Sequence, residues 1–229
     1  MWRKAKRVLV LAAAGFLTLS ITLVVIYRFL PAPITPLMVI RLIQGEGLRK
    51  DWVAYDGISP QVFKAVIAAE DTRFCQHLGF DLRAIEDAFQ KNRKGRRLVG
   101  ASTITMQTAK NLFLWPGRDY LRKGLEAYFT VLLELFWDKR RILEVYVNVI
   151  EFGSGIYGIE AAAQAYYKKS AKDLTAGEAA RLASVLPNPR SWTPQKLPRN
   201  TKLPRVRAEM NNQPAPADAR CPVGRYEGE

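Results

Sequence analysis

The feature that most constrains this chain is an uncharged, largely apolar run from Val8 to Tyr27, which follows four Lys or Arg residues among the first seven. About 20 apolar residues are enough for a helix to span a bilayer. A cleaved signal peptide is the alternative, but its apolar region is usually about 7–15 residues long, and here the small residues Ala12–Ala14 lie inside the run. The run therefore predicts an uncleaved single anchor over residues 8–30, with the basic residues 1–7 in the cytoplasm.

The positive net charge indicates which classes of binding partner this chain favours. The chain has 35 Lys and Arg against 21 Asp and Glu, a formal charge of +14, which suits polyanions such as nucleic acid, anionic lipid or phosphorylated substrates. Because the anchor places everything after Arg28 outside the inner membrane, nucleic acid is not expected as a partner. One histidine, His77, excludes a His-rich metal site. Cys75 and Cys221 match no zinc spacing, and the sequence leaves open whether they pair in an oxidising compartment.

The rest of the chain divides by composition. Residues 31–52 form a proline-containing linker, and residues 53–190 carry apolar residues at helical spacing without a convincing alternating strand pattern, so we expect an all-α domain. Helices are expected to begin near Ser59, Asp81, Thr103, Asp119 and Thr175, with Ser59 as an N-cap and Thr175–Glu178 as a capping box. Apolar stripes are expected at helical spacing after Asp81 (Leu82, Ile85 and Phe89) and in a further helix (Ile142, Val145, Tyr146 and Val149). Residues 191–229 are rich in Pro, Arg and small polar residues, which predicts a mobile tail with no packed element. The basic segment 91–97 predicts an exposed loop, either simply solvated or placed at lipid phosphates.

Two blocks carry candidate chemistry. In the first, Glu70 and Asp71 stand where an apolar helix ends, shortly before His77. This pattern indicates either acids at the mouth of a cleft or a solvated helix end. In the second, the hydroxyl-rich start Ser102–Thr105 precedes Gln107, Lys110 and Asn111. Free backbone N–H groups and hydroxyls at a helix start suit an anionic ligand, although the same residues alone could be only an N-cap.

These blocks, about 30 residues apart, resemble the signatures E-D-x-x-F-x-x-H-x-G and G-x-S-T-I-T-x-Q-x-x-K-N of the peptidoglycan glycosyltransferases of glycosyltransferase family 51. Arg122–Glu126 resembles the family's R-K-x-x-E, and residues 141–153 resemble its R-I-L-E-x-Y-L-N…F-G segment. Residues 158–167 together with 174–189 resemble its closing helices. Met106 and Val147 depart from the pattern without removing an ionisable group. No S-x-x-K motif occurs, so the resemblance is to the monofunctional members, which lack a transpeptidase domain.

The resemblance implies a lysozyme-like helical domain on a single-pass inner-membrane anchor, with the catalytic domain in the periplasm. The implied substrates are lipid II and the growing glycan strand, which is transferred from undecaprenyl pyrophosphate to the 4-hydroxyl of lipid II with inversion. Cell-division or cell-wall synthesis proteins are further implied partners. A hydrolytic lysozyme-like enzyme and a membrane-anchored scaffold without catalysis are the alternative hypotheses.

The resemblance also assigns roles to residues. Glu70 matches the base that takes the proton of the attacking hydroxyl. Glu126 matches a second catalytic carboxylate on the leaving-group side, acting by hydrogen bonding or through a divalent cation, Mg²⁺ or Mn²⁺; no organic cofactor is expected. Asp71 and His77 are interpreted as orienting groups and Phe74 as packing. The remaining residues assigned to substrate are Ser102, Thr103, Gln107, Lys110, Asn111, Arg122 and Lys123, of which the three cations face the pyrophosphate.

Overall fold

The computed structural model describes residues 2–93, 95, 100–117 and 119–213. Helices dominate the described residues, which confirms the prediction of an all-α fold. The ten helices described are α1 (Trp2–Phe29), α2 (Pro36–Ile43), α3 (Pro60–Glu70), α4 (Leu82–Arg93), α5 (Ile104–Phe113), α6 (Tyr120–Phe136), α7 (Lys139–Val149), α8 (Ile159–Tyr167), α9 (Ala176–Val185) and α10 (Leu203–Met210).

A small sheet, which the sequence did not predict, lies beside α8. Its strands are β1 (Arg49–Lys50), β2 (Glu151–Gly153) and β3 (Ile156–Tyr157) in the order β1-β3-β2, with β1 parallel and β2 antiparallel to β3. Strands of two or three residues are too short to show an alternating pattern of apolar and polar residues. The sheet ties the linker before α3 to the glycine-rich segment after α7.

Helix α1 contains the predicted anchor. It is 28 residues long, and it is the helix among the described residues that is long and apolar enough to cross a membrane. Its C-terminal half docks on the domain: the hydroxyls of Ser20 and Tyr128 are 2.6 Å apart, and the Trp137 indole N–H donates to the Val24 carbonyl at 2.8 Å. The Arg141 guanidinium donates to the carbonyls of Tyr27 and Leu30. The C-terminal half of α1 is therefore packed against α6 and α7.

The core lies between α3, α5, α7 and α9. The predicted stripe of α7 is buried as its helical spacing requires, with Ile142, Val145, Tyr146 and Val149 at most 1% exposed. The predicted capping box of α9 forms between Thr175 and Glu178. Together these elements make a rigid base on which α3 and α5 can hold polar side chains.

Ser59 does not make the predicted cap of α3. It occupies the N-cap position, but its hydroxyl donates to the Leu174 carbonyl at 2.8 Å, which joins the start of α3 to the segment before α9. Pro60 follows at the first helical position, where a missing N–H costs nothing. The hydroxyl therefore serves a tertiary contact rather than the local one expected.

Helix α4 begins after Asp81 as predicted, because the Asp81 carboxylate accepts the Ala84 N–H at 2.9 Å. Its stripe is not in the core: Leu82 and Phe89 are 74% and 62% exposed. Within the basic segment 91–97, residues 94 and 96–99 lie outside the described residues. Cys221 also lies outside them, so the pairing of Cys75 with Cys221 is not described.

The prediction that residues 191–229 contain no packed element is wrong for the residues up to 213. Helix α10 packs on α3 and α9, and its Val206 and Met210 are 0% and 4% exposed. Leu203, Val206 and Met210 recur at helical spacing, so burial of this stripe fixes the helix although arginines and Pro204 surround it. Residues 214–229 of the predicted tail lie outside the described residues.

Candidate active site

Glu70 is the last residue of α3, and its carboxylate is held from α5. The Gln107 amide donates from Nε2 to Glu70 Oε2 at 2.8 Å. The fully buried Tyr146 hydroxyl donates to Gln107 Oε1 at 3.3 Å, which fixes the direction in which the amide points. Burial raises the pKa of Tyr146 well above its ordinary value, with the charges of Glu70 and Asp71 adding to the effect, so the phenol remains a donor. The Glu70 side chain is only 13% exposed.

Both carboxylate oxygens of Asp71 form hydrogen bonds with other groups of the protein. Its Oδ2 accepts the backbone N–H of Ile104, the first residue of α5, at 3.0 Å, and its Oδ1 lies 2.9 Å from His77 Nε2. A carboxylate at a helix N-terminus satisfies one of the free N–H groups and complements the helix dipole. Asp71 therefore couples the end of α3 to the start of α5, and this coupling sets the position of Glu70 relative to Gln107.

Two residues at the start of α5 differ in exposure. Thr103 is the N-cap: its hydroxyl oxygen accepts the Met106 N–H at 3.2 Å and its hydroxyl donates to the Gly79 carbonyl at 2.6 Å. Gly79 has a φ of +81°, and a Cβ there would lie 2.6 Å from Thr130 Cγ2, so only glycine fits this turn. Ser102, in contrast, is exposed and accessible to a ligand.

A cationic cluster lies around the N-terminal half of α6. Arg122 Nη1 donates to Glu126 Oε2 at 2.6 Å, Lys123 Nζ pairs with Glu126 Oε1, and both Arg122 and Glu126 are buried. Lys110 of α5 has no hydrogen-bonding partner within the described part of the chain, while it interacts electrostatically with Glu126, Arg122 and Glu70. Burial lowers its pKa, and Glu126 opposes that shift. Two cations thus pair directly with the Glu126 carboxylate, and the third, Lys110, interacts with it electrostatically.

Gln107 and Lys110 connect the two halves of the site. Residues three apart on a helix have Cβ atoms about 5–6 Å apart. Gln107, which bonds to Glu70, and Lys110 therefore lie on one face of α5. The next residue, Asn111, is buried. The structure therefore brings Glu70, Gln107, Lys110 and the cluster on α6 together.

Phe74 is fully buried, and a network that the sequence did not predict lies beside it. The ammonium of Lys139 is 4.5 Å from the Phe74 ring centroid and donates to Glu134 Oε1 at 2.7 Å and to the His77 carbonyl at 2.8 Å. The Thr105 hydroxyl donates to the same Glu134 oxygen. Burial lowers the pKa of Lys139 below its ordinary value, although the nearby Glu134 carboxylate opposes part of this shift. The network holds the turn that carries His77; no local motif marks it, because its members come from α5, α6 and α7.

The residues around Glu126 do not fit a resident divalent cation. Both Glu126 oxygens already contact cations, and Lys110 adds a third charge nearby, whereas Mg²⁺ prefers free oxygen ligands. A second group, Asp71, His77 and Asp81, has ligand atoms within 4.8 Å of one another. These atoms are used internally, since Asp71 bonds to His77 and Asp81 forms two hydrogen bonds with Arg73. Glu126 fits the hydrogen-bonding alternative instead.

Comparison with known proteins identifies the family of this chain. The transglycosylase family profile matches residues 38–212. Three relatives named biosynthetic peptidoglycan transglycosylase come from Caulobacter vibrioides (59% identical, covering 74% of this chain and 74% of the relative), Bdellovibrio bacteriovorus (52%, 92% and 86%) and Rhodospirillum centenum (50%, 94% and 90%). The matched range includes α10, beyond the predicted domain 53–190. No S-x-x-K motif occurs in its 229 residues. These matches show that the chain belongs to the transglycosylase family, as a peptidoglycan transglycosylase without a transpeptidase signature.

Proposed function

We propose that this transglycosylase polymerises glycan strands by transferring the growing chain from undecaprenyl pyrophosphate to the 4-hydroxyl of lipid II, with inversion at the anomeric carbon. The observation that carries the proposal is the juxtaposition, through one face of α5, of an ordered carboxylate and a cationic cluster in which Arg122 is buried. Sugar transfer to a hydroxyl needs a group that takes a proton, and departure of a pyrophosphate needs positive charge. The two halves of the site supply these two requirements.

Glu70 is the general base in this proposal. Its carboxylate is shielded from bulk water, and Gln107 holds one oxygen in place. A base that is already oriented needs no rearrangement when the hydroxyl arrives, which is the condition for efficient proton transfer. The proton of the attacking 4-hydroxyl moves to Glu70 as the new glycosidic bond forms and the bond to pyrophosphate breaks.

Lys110, Arg122 and Lys123 stabilise the charge that develops on the leaving pyrophosphate. Lys110 is the best placed to bind it directly, because its ammonium is not engaged by a hydrogen bond among the described residues. Glu126 acts by hydrogen bonding: it holds Arg122 and Lys123 on the side of the leaving group. The donors are fixed before the reaction, so their electrostatic effect is available without reorganisation.

Asp71, His77, Phe74 and Thr103 have positioning roles in this proposal, since each is bonded or packed within the protein. Gln107 orients Glu70 in addition to its assigned contact with substrate. Exposed Ser102 at the start of α5 is the residue left for direct substrate contact, whereas Asn111 on the same helix is buried.

The location of the enzyme follows from α1. We place α1 across the inner membrane with its basic N-terminus in the cytoplasm, following the bias of Lys and Arg towards the cytoplasmic side. The catalytic domain then lies in the periplasm at the membrane surface, where a lipid-linked substrate can reach it. Division or cell-wall synthesis proteins remain proposed partners.

One assay tests the proposal. The purified full-length protein is incubated in detergent with labelled lipid II, and the products are separated by size while release of undecaprenyl pyrophosphate is measured. A polymerase gives long glycan with one pyrophosphate released for each bond, and NMR of the linkage shows inversion. Fragments from preformed glycan would indicate a hydrolase, and no turnover of either substrate would indicate a scaffold.

A further inference from the structure

Lys202 contacts the end of α3 from a part of the chain far from it in sequence. Its ammonium lies 3.4 Å from Glu70 Oε1 and donates to the Ala69 carbonyl at 3.2 Å. The last carbonyls of a helix have no partner within the helix, and they form the negative end of its dipole, so a cation is favoured there. Lys202 therefore binds both the backbone end of α3 and the side chain of its last residue.

The position of Lys202 is set by packing. Lys202 immediately precedes α10, whose Val206 and Met210 are buried against the core. Leu203 packs against the same core from the first position of the helix. Because α10 contacts both α3 and α9, the backbone that carries Lys202 is fixed relative to Glu70.

We infer that Lys202 is a positioning residue for Glu70, which it holds from the side opposite to Gln107. Gln107 binds Oε2 and Lys202 binds Oε1, so the two contacts together define the plane of the carboxylate. This inference rests on the proposed function, in which Glu70 takes the proton of the attacking hydroxyl. Neither contact by itself prevents the carboxylate from rotating about its last side-chain bond.

The contact contributes mainly to orientation rather than to folding. The Lys202 side chain is 42% exposed, and ion pairs that are partly exposed contribute little to stability. Losing the ammonium should therefore leave the fold intact. The carboxylate would then adopt a wider range of orientations, and productive proton transfer would become less frequent.

The test compares variants of the full-length protein in detergent. Lys202→Met keeps the length of the side chain and removes the charge, and we expect kcat to fall by about fivefold, the upper end for a partly exposed pair, with KM for lipid II and the melting temperature unchanged. Lys202→Arg should restore most of kcat. Lys196→Met is the matched control, because Lys196 is exposed in the same segment, and it should behave as the wild type. Wild-type kcat for Lys202→Met would overturn the inference, as would an effect on KM alone.

A double-mutant cycle separates this inference from the proposed function. If Lys202 acts through Glu70, then Lys202→Met should have no further effect on the residual turnover of Glu70→Gln. An additional fivefold loss in that background would show that Lys202 acts elsewhere. Near wild-type turnover of Glu70→Gln alone would refute Glu70 as the base, and this result does not depend on Lys202.

Discussion

Glu126→Gln should destabilise the protein, because Glu126 holds a buried arginine. Arg122 Nη1 lies 2.6 Å from Glu126 Oε2, both residues are buried, and Arg122 Nε has no hydrogen-bonding partner among the described residues. Removing one partner of a buried pair costs about 3–5 kcal/mol, and one hydrogen bond to a charged group contributes about 1.5–3 kcal/mol. Glutamine keeps one acceptor oxygen, so we expect a loss of about 2 kcal/mol.

This loss should be visible in thermal unfolding. In a protein of this size about 1 kcal/mol shifts the melting temperature by about 2–4 °C, so Glu126→Gln should melt about 4–8 °C lower. Intrinsic fluorescence is a suitable probe because Trp137 is buried. Lys123→Met is the control: the Lys123 side chain is 46% exposed, and its pair should contribute less than about 1 kcal/mol. A melting temperature of Glu126→Gln within about 1 °C of the wild type would refute the reasoning. So would a melting temperature no lower than that of Lys123→Met.

Two further predictions follow from the anchor and from Asp81. Deleting residues 1–14 should leave the melting temperature unchanged, whereas deleting residues 1–30 should lower it, because Trp137 and Arg141 lose their hydrogen bonds to carbonyls of α1. Such a bond contributes about 0.5–1.5 kcal/mol, and more when the donor is charged. Equal melting temperatures of the two truncations would contradict this. Burial raises the pKa of Asp81, but the Ala84 N–H and Arg73 outweigh it, so the pKa is lowered. The unfolded state then binds more protons, and the stability that Asp81 contributes is present at pH 7 and lost as the pH falls through the lowered pKa. Denaturant unfolding should show a difference in stability between the wild type and Asp81→Asn at pH 7 that closes as the pH falls through the lowered pKa. A difference that stays constant with pH would refute this.

Local patterns predicted much of this fold. The stripe of α7, the capping box of α9 and the helix start after Asp81 each depend on residues within one or two turns, so a single sequence contains the whole signal. The assignment of Glu70, Gln107 and Lys110 to one site depended on the resemblance of the ordered motifs to one family. The helix α5 then places Gln107 and Lys110 on one face, as their spacing requires.

Tertiary contacts account for what could not be predicted. The burial of Arg122 and Glu126 could not be predicted, because a spacing of four residues on a helix says nothing about burial. The bond of Ser59 to Leu174 could not be predicted either, because it joins residues 115 positions apart. Helix α10 offered only three apolar residues among prolines and arginines. Lys202 had no sequence signal, since its partner Glu70 lies 132 positions away.

The most direct test of the account is the turnover of Glu70→Gln. The variant keeps the size of the side chain and an acceptor for Gln107, so the fold and donor binding should survive while the base is lost. We expect polymerisation of lipid II to fall by about a hundredfold or more, the usual range for removal of a general base. Polymerisation by Glu70→Gln at near wild-type rate, with Glu126→Gln inactive, would contradict the account and assign the proton to another group.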